Sequence, residues 1–162
     1  MIIVSNTGPL IGLAKIQQLG LLRQLATEVY IPPQVQAELL ARNTPDQAFI
    51  ATALKESIQV KAPVALDPAA ENLLQRLDEG ERQAIALARN LSGPVLLLLD
   101  DRLGRNAARK LGQPVTGLAG LLLLAKRRGL LPAVAPLLED VRNTGYWVSD
   151  KVVAVIKHLA GE

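Results

Sequence analysis

The sequence predicts an α/β fold with a mainly parallel sheet covered by helices on both faces. Short apolar runs alternate with stretches of helical periodicity along the whole chain. One run, PVLLLL (94–99), is continuously apolar, as strands buried on both faces tend to be. No internal repeat, low-complexity tract or long linker breaks the pattern, so a single domain over residues 1–162 is expected.

The elements follow in order. Residues 1–5 read as a first strand, which Asn6, Thr7, Gly8 and Pro9 bring to an end. Helical turns are expected at 9–16 and 19–26, then a β-like run EVYI at 28–31. Pro32-Pro33 opens a helix through about Arg42, proline being tolerated in a first turn. Residues 44–57 read helical, IQV (58–60) as a short strand, and 67–77 as a helix capped by Asp67. In GERQAIALARN (80–90), Ala84, Ile85 and Ala88 form one apolar stripe. After the strand at 94–99 come a helix at 102–111 and a short strand at 113–116. Helices are expected at 118–128, 132–142 and 150–160, with GYWVS (145–149) as a possible edge strand.

Hydrophobic residues make up 49% of the chain but aromatics only 2%, so Leu, Ile, Val and Ala must fill the core. Absence of cysteine excludes disulfides, thiolate metal sites and a Cys nucleophile, and fits a reducing compartment. Met1–Val4 is too short for a secretory segment, and no apolar run approaches the ~20 residues of a spanning helix. A cytoplasmic protein with no membrane contact is expected. The net charge of +3 is unevenly spread. Residues 101–130 carry seven Lys and Arg against Asp101 alone, while the rest of the chain is slightly acidic. Such clustering suits either a solvated helix face or a polyanion.

In parallel α/β folds ligands bind at the carboxyl ends of the strands. Asn6 follows the first strand there, and Asp100 and Asp101 follow the strand at 94–99. Glu38 and Glu81 lie near helix starts expected on the same edge. Carboxylates without His or Cys make an oxygen-only site suited to Mg²⁺ or Mn²⁺. A metal of that kind activates water for displacement at phosphorus. Arg102 and Arg105 stand nearby to hold a phosphate backbone. Each residue also has a plainer reading. Glu38 has the spacing to pair with Arg42, and Asp78 and Glu81 that of a capping box. Asp100 or Asp101 is placed to cap the following helix, Thr7 the first helix, and Thr116 the helix after it. Asn6 reads as a turn residue whose side chain fixes the strand–helix junction.

The stretches VSNTGPLIGLAKI, VYIPPQVQAELL, LDEGERQAIALA and LLLLDDRLGRNAARKLGQPVTGLAGLLLLAKRRGLLP, in this order, resemble the PIN-domain superfamily. They are most similar to a branch of unknown function related to the toxin ribonucleases of bacterial toxin–antitoxin pairs (VapC-like). The resemblance implies a three-layer α/β/α sandwich in which acidic residues bind Mg²⁺ or Mn²⁺ and cut single-stranded RNA. It places the first site position on Asn6, with Thr7 beside it, then Glu38, Glu81, and Asp100 or Asp101, of which Asp100 sits at the strand end. It also implies a homodimer and a small antitoxin partner. Asn6 departs from the family's aspartate: it keeps a carbonyl oxygen able to ligate a metal and loses the charge. A weakened or inactive member that binds RNA or a protein is therefore the alternative.

Other residues have smaller claims. Thr116 lies in line with the edge and in reach of a phosphate. His158, the only histidine, has no partner motif and reads as a surface or packing residue. Tyr146 and Trp147 read as packing or interface residues, and four aromatics are too few for an extended base-stacking platform. No Gly-rich phosphate loop and no Ser-His-Asp arrangement is present.

Overall fold

A computed structural model describes residues 1–162. Five parallel strands form one sheet: β1 (Ile2–Ser5), β2 (Glu28–Ile31), β3 (Ile58–Val60), β4 (Val95–Leu98) and β5 (Val115–Thr116). Their order across the sheet is β3-β2-β1-β4-β5. Ten helices surround it: α1 (Thr7–Lys15), α2 (Gly20–Leu25), α3 (Pro33–Leu40), α4 (Gln47–Glu56), α5 (Pro68–Leu73), α6 (Glu79–Asn90), α7 (Arg102–Lys110), α8 (Leu118–Arg127), α9 (Ala135–Asn143) and α10 (Asp150–Ala160). The fold is the expected α/β/α sandwich with a parallel sheet.

Alternation along the strands divides the core in two. Ile3, Val29, Ile31 and Leu98 pack with α1, α2, α3, α4, α8, α9 and α10 in the larger cluster of 26 buried residues. Val4, Val95, Leu97 and Leu99 face the other way, with Leu74, α6 and α7, in a cluster of 11. On α6, Ala84, Ile85 and Ala88 all join this second core, so the stripe read from the sequence is its buried face. The small Ala residues of α6 and α7 bring both helices close over the leucines of β4.

Several boundaries differ from the sequence reading. Helix α4 begins at Gln47, because Thr44 precedes Pro45 and is steered out of helical conformation. The turn before it is held by Arg42, which pairs with the buried Asp46 at 2.6 Å and so is not the partner of Glu38. Helix α5 stops at Leu73 and α9 starts at Ala135. Residues 145–149 are not a strand. Gly145, at φ +88°, turns the chain out of α9, and the segment then runs unpaired to Ser149, which caps α10.

Helix α9 has no capping side chain of its own. Glu162 supplies one from a distance: its carboxylate accepts from Val134 N at 2.8 Å and Ala135 N at 3.0 Å, and from Lys126 Nζ at 2.8 Å. An anion at a helix start satisfies orphan N–H groups and the helix dipole together. The Lys126 hydrogen bond, then those two amides, hold the Glu162 carboxyl down at about 2. Its stabilisation is present above the unfolded value of 4.5 and is lost as pH falls through about 2. Glu162→Gln is therefore expected to lower the melting temperature at neutral pH, with the difference from wild type closing as pH falls from about 4.5 to about 2. Melting curves across that range check it, and a difference that does not change with pH contradicts the clamp.

Candidate functional site

The strand order reverses between β1 and β4, since the connection from β1 runs one way to β2 and β4 continues the other way to β5. Parallel sheets open a crevice at such a reversal, at the carboxyl ends of the strands. Asn6 leaves β1 there, its N–H donating to Leu98 O at 3.0 Å. Asp100 and Asp101 leave β4 beside it.

Asn6, Glu38 and the start of α6 meet on one side of the crevice. A Cβ added at Gly80 would lie 2.9 Å from Glu38 Oε1 and 3.3 Å from Asn6 Oδ1. Glycine thus lets the first turn of α6 close over both oxygens. Thr7 does not cap α1; its hydroxyl donates to Glu38 Oε2. Gln34 Nε2 lies 3.4 Å from the other Glu38 oxygen. Asn6 is the N-cap residue of α1 by position, yet its side chain makes no capping bond. Its Oδ1 is buried without any hydrogen-bond partner. The expectation that Asn6 fixes the turn through its side chain is corrected here: backbone pairing and the Ser5 hydroxyl, 2.9 Å from Asn6 O, hold the junction.

Glu81 sits in the first turn of α6 and is 8% exposed. Asp78 caps the helix by accepting from Glu81 N at 2.9 Å. Burial, and then the charges of Asp78, Asp101 and Glu38, push the Glu81 carboxyl up to about 7. Glu81 thus feels like charges from Asp101 and Glu38 at this edge of the sheet.

Asp100 is held differently. Its Oδ1 accepts from Leu118 N at 2.9 Å, and its Oδ2 accepts from the Tyr146 hydroxyl. Gly117 permits the first contact, because a Cβ there would overlap Asp100 Oδ1. Arg105 donates to the backbone oxygen of Asp100. Tyr146 lies against α1, where a Cβ on Gly12 would come within 3.3 Å of its ring. Burial and the neighbouring Asp100 raise the phenol, which stays a protonated donor. Asp101 takes the plainer role that the sequence left open, accepting from Gly104 N at 2.8 Å as the cap of α7. Thr116 is not a cap, that position belonging to Gly117, and its hydroxyl lies against Gly120. Arg102 and Arg105 both ride on the first turn of α7, and neither pairs with a carboxylate. Tyr146 is the site neighbour that sequence reasoning missed; an aromatic in a short unpaired segment after a helix-ending glycine was the available signal.

No three His, Cys, Asp or Glu side chains stand close enough together to hold a metal by themselves. Asn6 and Glu38 meet under Gly80, with Glu38 drawn toward Thr7, whereas Asp100 is drawn toward α8 and Tyr146. The donor set still fits a small hard cation, because Mg²⁺ keeps several waters and needs only one or two carboxylates from protein. The orphaned Asn6 oxygen beside Glu38 is the structural mark of that fit, since a buried carbonyl without a partner is costly. The largest cavity, about 490 Å³, lies at the amino ends of β2 and β3, on the opposite edge, and is lined in part by Arg23, Lys55 and Ser57. It touches none of these residues.

Glu81 gives the crevice a measurable signature. Its raised value means that the Glu81 contribution to stability is greatest below about 4.5 and is lost as pH rises through about 7. In EDTA, Glu81→Gln is expected to match wild type at low pH and to be more stable above about 7, by on the order of 1–3 kcal/mol. Urea unfolding at both ends of the range checks this, and a variant less stable at high pH contradicts the repulsion.

Comparison with known proteins agrees with the architecture. The chain matches the model of the family DUF3368, described as a PIN domain, over residues 2–162. A search of curated proteins finds no significant match. The parallel sheet with its reversal at β1–β4, the acidic crevice at that point and the near full-length match lead to one conclusion: this chain belongs to the PIN-domain family.

Proposed function

We propose that the protein is a divalent-metal-dependent endoribonuclease that cuts single-stranded RNA, acting as one domain and as the toxin half of a type II toxin–antitoxin pair. PIN membership suggests a nuclease. The observation that carries the metal-dependent reading is the unpartnered, buried Asn6 Oδ1 facing the Glu38 carboxylate under Gly80. Asn6 and Glu38 would hold Mg²⁺ or Mn²⁺ directly, with Glu81 and Asp101 adding negative charge around it. Bound there, the metal supplies a more acidic water and stabilises charge at a phosphorus centre.

The chain's own residues do the rest. Thr7 fixes the Glu38 carboxylate by donating to one of its oxygens, leaving the other toward Asn6. Tyr146 and Leu118 N orient Asp100 on the far wall. The guanidinium groups of Arg102 and Arg105, neither of which pairs with a carboxylate, attract the phosphate backbone, Arg105 while anchored on the Leu99 and Asp100 carbonyls. Thr116 remains a candidate contact at the end of β5. On α10, Val152, Val155 and Leu159 form an exposed apolar stripe, which supports a protein contact such as a homodimer or an antitoxin.

Asn6 favours a second reading, a scaffold one charge short of catalysis that binds RNA or protein. The two are separated by incubating single-stranded RNA with Mn²⁺ and with Mg²⁺ and following cleavage. Wild type is expected to cut, and Glu38→Ala to lose more than the roughly 10–100-fold that loss of an outer-shell partner costs. Asn6→Asp is expected to cut faster by restoring the charge. If wild type is silent and Asn6→Asp cuts, the second reading holds. Undiminished cleavage by Glu38→Ala overturns the site.

A further inference from the structure

Trp147 is the only tryptophan and is 81% exposed. Its predecessor Tyr146 is partly buried and bonded to Asp100, and Ser149 caps α10 two residues on. The indole therefore projects from a segment pinned at both ends. It lines a groove of about 240 Å³ with Asp100, Arg105, Arg109 and the first turn of α8. Arg105 and Arg109 are one turn apart on α7, and Arg109 pairs with no carboxylate.

We propose that this groove is a nucleotide subsite for the single strand, in which one base stacks on Trp147 and the adjoining phosphate pairs with Arg109. The inference rests on the ribonuclease reading and names where the strand runs as it leaves the acidic crevice. The groove reaches Asp100 at the carboxyl end of β4, beside the end of β1 that carries Asn6. Small-molecule pockets hold about 300–1,000 Å³. The smaller volume here suits one residue of a longer polymer rather than an enclosed free ligand. A rigidly held aromatic loses little freedom on stacking, and every base offers a π face, so the subsite is sequence-tolerant. A single indole replaces the aromatic platform that the composition rules out.

The sole tryptophan reports on its own site. In EDTA, where no cleavage occurs, wild type and Glu38→Gln are titrated with a short oligouridylate and an oligoadenylate. Binding is followed by indole fluorescence and, separately, by anisotropy of a labelled strand. Saturable quenching is expected in both proteins. Loss of one stacked base predicts binding about tenfold weaker or worse for Trp147→Ala, with most of it restored in Trp147→Phe. Arg109→Gln should lower the salt dependence by about one ion contact. Binding by anisotropy without quenching, and with equal affinity for Trp147→Ala, overturns the subsite. Metal-dependent cleavage by the same protein then leaves the nuclease reading standing. Absence of both RNA binding and cleavage overturns the two together. Indole fluorescence that shifts with protein concentration alone assigns Trp147 to self-association and also overturns the subsite.

Discussion

The parallel pairing of β1 with β4 organises everything else in the molecule. Ile2 to Ser5 lie beside Val95 to Leu98, so a strand at the start of the chain is joined to one more than 90 residues later. That join lets β1 serve both halves of the sheet, with β2 and β3 on one side and β4 and β5 on the other. It also decides which side chains share the crevice. Asn6 and Asp100 come from distant segments and sit across it only because their strands end together. A slip of one residue in this pair would exchange Ile3 with Val4 between the two cores and turn the site residues away.

Electrostatics within the crevice are set by what surrounds each carboxylate. Glu38 and Asp100 each have hydroxyl donors, whereas Glu81 has burial and like charges around it. Burial first, and then repulsion from the neighbouring carboxylates, therefore holds the Glu81 carboxyl up. Asparagine at position 6 relieves part of that repulsion. Its neutrality favours the fold, while its buried carbonyl oxygen is left without a partner.

Much of the fold was legible because its signals are local. The apolar run at 94–99, the Pro-led α3, the stripe on α6 and the Asp caps of α5, α6 and α7 all lie where expected. The misreadings share a cause. Thr7, Asn6, Thr116 and Arg42 were weighed by rules for neighbours along the chain, but their side chains answer to residues elsewhere or to none. Residues 145–149 look like a strand by composition. Their shape follows from Gly145 and from a hydrogen bond to Asp100, which no window of sequence contains. The candidate site was readable to the level of which residues lie on the edge. How they divide into a Glu38 side and an Asp100 side depends on tertiary donors.

The bond from Tyr146 to Asp100 also has a meaning in time. A ribosome delivers the chain at about 5–20 residues per second, N-terminus first. The crevice acquires its walls in that order: Asn6 and Glu38 early, Glu81 and Asp100 past the middle, and the phenol last. Until residue 146 has emerged, Asp100 lacks one of its two side-chain donors and α1 lacks the ring that packs on Gly12. A nascent or truncated chain that already carries Glu38, Glu81, Asp100 and Asp101 thus still lacks the phenol that holds Asp100. The Asp100 side of this edge is finished only once a tyrosine 46 residues further along the chain has emerged.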